Sequence, residues 1–186
     1  MDFEFKVVEQ GTGSLMPIGL HKASIVSVIA TASKTLTPQI EVRLANEKNQ
    51  IRNAWYNMRG YKRNSAGQLV DKKNQVIHLE GLEGKKLETA LNRRIEDPAL
   101  TLKCQQIFGK FLNHAGLEPD RKFKNLEEVG EAIVKNEVLV GVMKERGYEK
   151  VSNTFHVDAV DAAESTMSRK LGYEVVLDAE TENAIV

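Results

Sequence analysis

The run Gln39-Ile40-Glu41-Val42-Arg43-Leu44 alternates polar with apolar residues over its whole length. Successive side chains of a strand point to opposite faces, so Ile40, Val42 and Leu44 share a dry face while Gln39, Glu41 and Arg43 share a wet one. A strand wetted on one side is the mark of an antiparallel sheet covered on one face. The chain is committed to such a sheet, and the flanking sequence has to supply the partners.

It does so on both sides. Gly19 to Ile29 is rich in β-branched residues and follows a turn at Met16-Pro17-Ile18. Downstream, the turn-like Asn46-Glu47-Lys48-Asn49 leads into Ile51 to Met58, a third strand antiparallel to the second by the hairpin rule. A helix is expected from Asp97-Pro98, a capping residue before a first-turn proline, with apolar residues at 99, 100, 104, 107, 108, 111, 112 and 115 and a stop at Gly116. Asn125, with Glu127 and Glu128 behind it, starts a second helix over Leu126 to Lys135. Glu137 to Lys144 and Tyr148 to Val157, joined by Glu145-Arg146-Gly147, form a closing hairpin.

Three strands, a helical insertion and two strands make a mainly β fold with inserted helices, in the order of the five-stranded, partly open Greek-key OB barrel. The expected organisation is an OB domain over residues 1–157, with a polar loop excursion at 60–80, followed by an acidic C-terminal tail over 158–186 that docks by at most one short element. With 186 residues, 41% of them apolar, the chain has material for one core. It has no basic and apolar leader at its start, no run of the roughly 18 apolar residues a spanning helix needs, and one cysteine, Cys104. The expected location is a reducing cytoplasm, with no membrane partner.

Net charge is zero, but it is unevenly spread. From Arg43 to Gln75 eight basic residues stand against Glu47 and Asp71, a net +6, whereas from His156 to Val186 seven acids stand against Arg169 and Lys170, a net −5. The basic stretch also holds the only tryptophan and two of the four tyrosines. Unpaired nucleic acid needs cations along its phosphates and flat rings under its bases. The expected binding residues are therefore Arg43, Arg52, Trp55 and Tyr56 on the second and third strands, with Arg59, Tyr61, Lys62, Arg63, Lys72 and Lys73 beyond them. Strand alternation sends one of Trp55 and Tyr56 into the core and leaves open which. Basic loop residues often only solvate a surface, and it is the interleaved aromatics that favour binding here.

Enzymatic patterns are missing. His21, His78, His114 and His156 fall in four different elements without a second metal ligand at suitable spacing, and Gly109-Lys110 lies within a helix without a phosphate loop before it. The expectation is a protein without catalysis, cofactor or metal.

Taken together, Pro17-Ile18-Gly19-Leu20-His21-Lys22-Ala23, the Ile40 to Leu44 strand, the helix Gln106 to Leu117, and Val138-Leu139-Val140-Gly141-Val142 followed by the Tyr148 to Phe155 strand resemble phage-encoded single-stranded-DNA-binding proteins of the OB type. The resemblance spans about residues 15 to 157 and implies coating of single strands in phage DNA replication or recombination, in the host cytoplasm. It also implies recruitment of replication or recombination proteins by the acidic tail, although this tail ends Asn183-Ala184-Ile185-Val186 without the terminal aromatic of many such tails. The competing expectation is a protein-interaction module of the same fold, a phage accessory factor or inhibitor of a host protein, acting through the 60–80 loop. RNA stays open as a ligand, as does the oligomeric state.

Overall fold

The computed structural model describes residues 14–119 and 121–178; residues 1–13 of the expected domain and 179–186 of the expected tail lie outside the described residues. Five strands, β1 (Gly19–Ala32), β2 (Pro38–Ala45), β3 (Ile51–Asn57), β4 (Glu137–Glu145) and β5 (Tyr148–Phe155), form one antiparallel sheet in the order β3-β2-β1-β4-β5. Among the described residues four helices accompany it: α1 (Gly84–Asn92), α2 (Pro98–His114), α3 (Leu126–Ile133) and α4 (Val160–Leu171).

The sheet is open, with β3 and β5 as its edges, and it is bent. β1 pairs with β4 through Gly19 to Ser24 and with β2 through Ser24 to Ala32, and a register shift between Ile25 and Ser27 falls just past that changeover. A second shift, between Gly141 and Val142, lies where β4 meets β5. Such bulges add local bend and twist, and the two edges come alongside each other. Arg52 of β3 is ion-paired with Glu149 of β5, and Tyr56 of β3 faces the Thr154 side chain of β5. Both contacts advance in the same chain direction, so the edges run parallel across the seam.

Inside the curve, Ile25, Ile40, Val42, Leu44, Val138, Val140 and Val142 meet Phe108, Phe111 and Ala115 of α2 and Val129 and Ile133 of α3. Each such side chain, fully buried, contributes about 1.5–3 kcal/mol. The caps hold as the sequence indicates: Asp97 accepts the Leu100 N–H at 3.0 Å and Asn125 accepts the Glu128 N–H at 2.9 Å.

Two regions go beyond the sequence expectations. The 60–80 excursion continues into α1, and Tyr61, Leu69, Ile77 and Ala90 form a small core of their own. Its two turns repeat a device of the β2–β3 turn: Asn46, Asn64 and Asp71 each accept the backbone N–H of the glutamine four residues on, at 2.9 Å in every case. The residue before that glutamine, Asn49, Gly67 or Asn74, has positive φ, which asparagine and glycine tolerate best.

Residues 158–178, expected as tail, supply α4 and a returning segment. Ala163, Met167 and Val175 pack on Leu20 and Leu139, and Leu177 bridges to Leu20. The cause lies in β4, which is buried on both faces. Leu139 points away from the inward Val138 and Val140, and α4 covers it. Met167 sits so close to Gly141 that a Cβ there would collide with its sulfur. Among the described residues no helix is long and apolar enough to cross a membrane.

Candidate nucleic-acid interface

Register determines which side chains share the outer face of β1, β2 and β3. Ile29, Glu41 and Trp55 form one row across the three strands, Ser27, Arg43 and Asn53 a second, and Thr31, Gln39 and Asn57 a third. Directly paired residues of neighbouring strands point the same way, so these nine form a single surface. It is polar apart from Ile29 and Trp55, which are 49% and 52% exposed. Glu41 sits at the centre, accepting from the Asn53 amide at 2.7 Å and from the Trp55 indole N–H at 3.2 Å. The indole is thereby held by its edge.

The alternation runs past the end of β3. Trp55, Asn57 and Arg59 are exposed while Tyr56, Met58 and Gly60 turn inward to different degrees. At about 3.3 Å per residue, Arg59 lies roughly 13 Å along the strand from Trp55. It is 3.7 Å from Glu96. Lys62 reaches the Asn74 side chain at 3.2 Å, Arg63 donates to Gly67 O at 2.6 Å and to Thr35 Oγ1 at 3.5 Å, and Lys72 and Lys73 are exposed at the tip of the third repeated turn. The excursion is tied to the β1–β2 loop by Arg63 and also by Arg94, which donates to Leu36 O at 2.9 Å.

Three of the residues expected to bind are placed inside. Arg52 is 8% exposed, donating to Met16 O at 2.7 Å and pairing with Glu149. It shares strand parity with Ala54 and Tyr56, the faces of β3 that line the core, and it staples the β3–β5 seam. Tyr56, half-buried, stacks on Phe111 with centroids 5.0 Å apart and tilts against Phe108 at 5.3 Å, and burial pushes its hydroxyl well above the ordinary tyrosine pKa. Tyr61 lies in the excursion's core with the Arg94 guanidinium 4.3 Å over its ring. What remains on the surface is Arg43, Trp55, Arg59, Lys62, Arg63, Lys72 and Lys73.

Other residues enter unannounced. A groove of about 420 Å3 opens at the β3–β5 seam beside Trp55, lined by Ile107, Lys110 and His114 of α2 and by Asn153 of β5. Burial lowers the His114 pKa, with the Lys110 and His156 charges adding to the effect, so Lys110 is the cation of that wall at neutral pH. Lys34, in the β1–β2 loop, has no hydrogen-bond or ion-pair partner among the described residues. Sequence could have flagged Lys34 as a loop cation, whereas the groove depends on α2 meeting β5. No family model matches the chain, and no curated protein matches it.

Proposed function

We propose that the chain binds single-stranded DNA without sequence selection, as in phage DNA replication or recombination, on the outer face of β1, β2 and β3. The observation that carries this is Trp55: a lone indole, half exposed on a polar strand face and held by its edge to Glu41. An indole in that state is pre-positioned, so a base stacking on it loses less freedom than it would against a mobile ring. The Glu41 carboxylate repels phosphates from the centre of the face. Bases therefore occupy the middle, and the backbone follows the cations around it: Arg43, Arg59, Lys62, Arg63, Lys72 and Lys73.

An OB barrel is the architecture we assign. Support comes from the strand order together with the parallel approach of β3 and β5 across the Arg52–Glu149 seam, which is the neighbour relation a closed Greek-key barrel of this type requires. A protein-docking role for the excursion is the second reading, favoured by its separate small core, which presents it as a formed unit.

Fluorescence anisotropy of a labelled mixed-sequence oligonucleotide tests the proposal. Single strands are expected to bind more tightly than the matching duplex, with a log–log salt slope of about −2 to −4, that is, about −0.7 for each phosphate neutralised. Equal weak binding to both, or none at low salt, rejects the proposal and leaves the docking role.

A further inference from the structure

The β1–β2 loop and the excursion enclose a groove of about 630 Å3, within the range of roughly 300–1,000 Å3 typical of small-ligand sites. Its walls are apolar, with Leu36 on one side and Leu79 and Leu82 on the other, while Lys34, Arg63 and His78 also line it. Glu80 is the one acidic residue among its lining residues. Neither Lys34 nor His78 has a hydrogen-bond or ion-pair partner among the described residues, and Arg63 uses two of its five donors.

Both walls are built to keep their shape. In the loop, Ser33 Oγ accepts the Thr35 and Thr37 N–H groups at 3.3 and 3.1 Å, and the three hydroxyls are linked in a chain at 3.1 and 3.3 Å. Leu36, at φ +53°, is a bulky residue in a region leucine rarely adopts, a condition that persists only where its surroundings enforce it. It is 37% exposed and lines the groove. Opposite, the side-chain-closed turns at Asn64 and Asp71 hold the excursion.

We infer that this groove takes one nucleotide of the bound strand, its base between Leu36 and the Leu79–Leu82 wall and its phosphate on Lys34 and Arg63. The inference rests on the single-strand reading and adds a base-holding subsite separate from Trp55. Position supports it: from Ile29, in the Trp55 row, β1 runs along the same sheet through Thr31 to its end at Ala32, where the β1–β2 loop begins, so a strand lying on Trp55 is led to the mouth of the groove. Apolar walls rimmed by Lys34 and by the remaining donors of Arg63 fit a flat base joined to an anion. A duplex holds its bases stacked and offers none, so the subsite also selects for single strands.

Photo-cross-linking with oligonucleotides carrying 5-iodouracil, followed by tryptic mapping, separates the two claims, because Trp55 and His78 fall in different peptides. The expected result is cross-links in both, with Lys34→Gln lowering the His78 yield, sparing the Trp55 yield and reducing the salt slope by about 0.7. Cross-links at Trp55 alone, with an unchanged Lys34→Gln slope, overturn the subsite and leave single-strand binding standing. Cross-links at neither, with no binding by anisotropy, overturn both.

Discussion

The outer face of the sheet is treated in two opposite ways. On its β1–β4 half, Leu20 and Leu139 are covered by α4 and the 175–177 segment, and Met167 and Ala163 are fully buried there. On its β1–β2–β3 half the surface is bare among the described residues, largely polar, and carries one edge-held tryptophan. The bulge between Ile25 and Ser27 lies near the border. A sheet with a helix on one half of a face and none on the other hides its large apolar side chains only on the first. On the second, Ile29 and Trp55 stay half exposed among the described residues, and the proposed binding role makes use of that exposure.

Substitutions on each half separate these roles. Met167→Ala removes a fully buried side chain and is expected to cost about 2–5 kcal/mol of unfolding free energy, read by denaturant titration, with oligonucleotide affinity of the folded protein unchanged. Loss of affinity without loss of stability would mean that the covered half also binds. Arg52→Ala, at the seam, leaves the Met16 carbonyl without its donor and should destabilise by about 1–3 kcal/mol. If it instead weakens binding while the melt is unaltered, the guanidinium is reaching phosphate and the seam assignment fails.

Trp55→Ala is the mirror case. Loss of the stack is expected to weaken single-strand binding by about 1–3 kcal/mol, roughly 5- to 150-fold, with stability within about 0.5 kcal/mol of the original. The smallest effect is Glu41→Gln. It keeps an acceptor for the indole and removes the central charge, so affinity at low salt should rise severalfold and the gain should fade as salt is added. A loss of affinity would show that Glu41 accepts from the ligand itself.

Much of this division was legible in the residues, and some was not. The alternation from Gln39 to Leu44 fixed the wet and dry faces of β2, and the Asp97-Pro98 and Asn125 signals started α2 and α3 where they stand. Strand parity also placed Arg52 and Trp55 on opposite faces of β3, so both could not contact one ligand from the same surface. Which face was inward depended on Phe108, Phe111 and Glu149, which lie far along the chain. α4 lacked a capping side chain at Ala159, yet Val160, Ala163, Met167 and Leu171 keep helical spacing and Gly172 ends them, a signal weakened by the charged residues between. α1 begins at Gly84 behind Glu83 with no side-chain cap, and it forms because Leu69 and Ile77 give Ala90 something to pack against.

The central question is whether the bare half of the face, and Trp55 on it, meets nucleic acid. Titrating Trp55 fluorescence with a mixed-sequence single strand and with its duplex, at low and moderate salt, asks this directly, since the chain has no other tryptophan. The prediction is strong quenching by the single strand, reversed by salt and little changed by duplex. An unquenched Trp55 at oligonucleotide concentrations that saturate binding by anisotropy would contradict it and move the site elsewhere on the molecule.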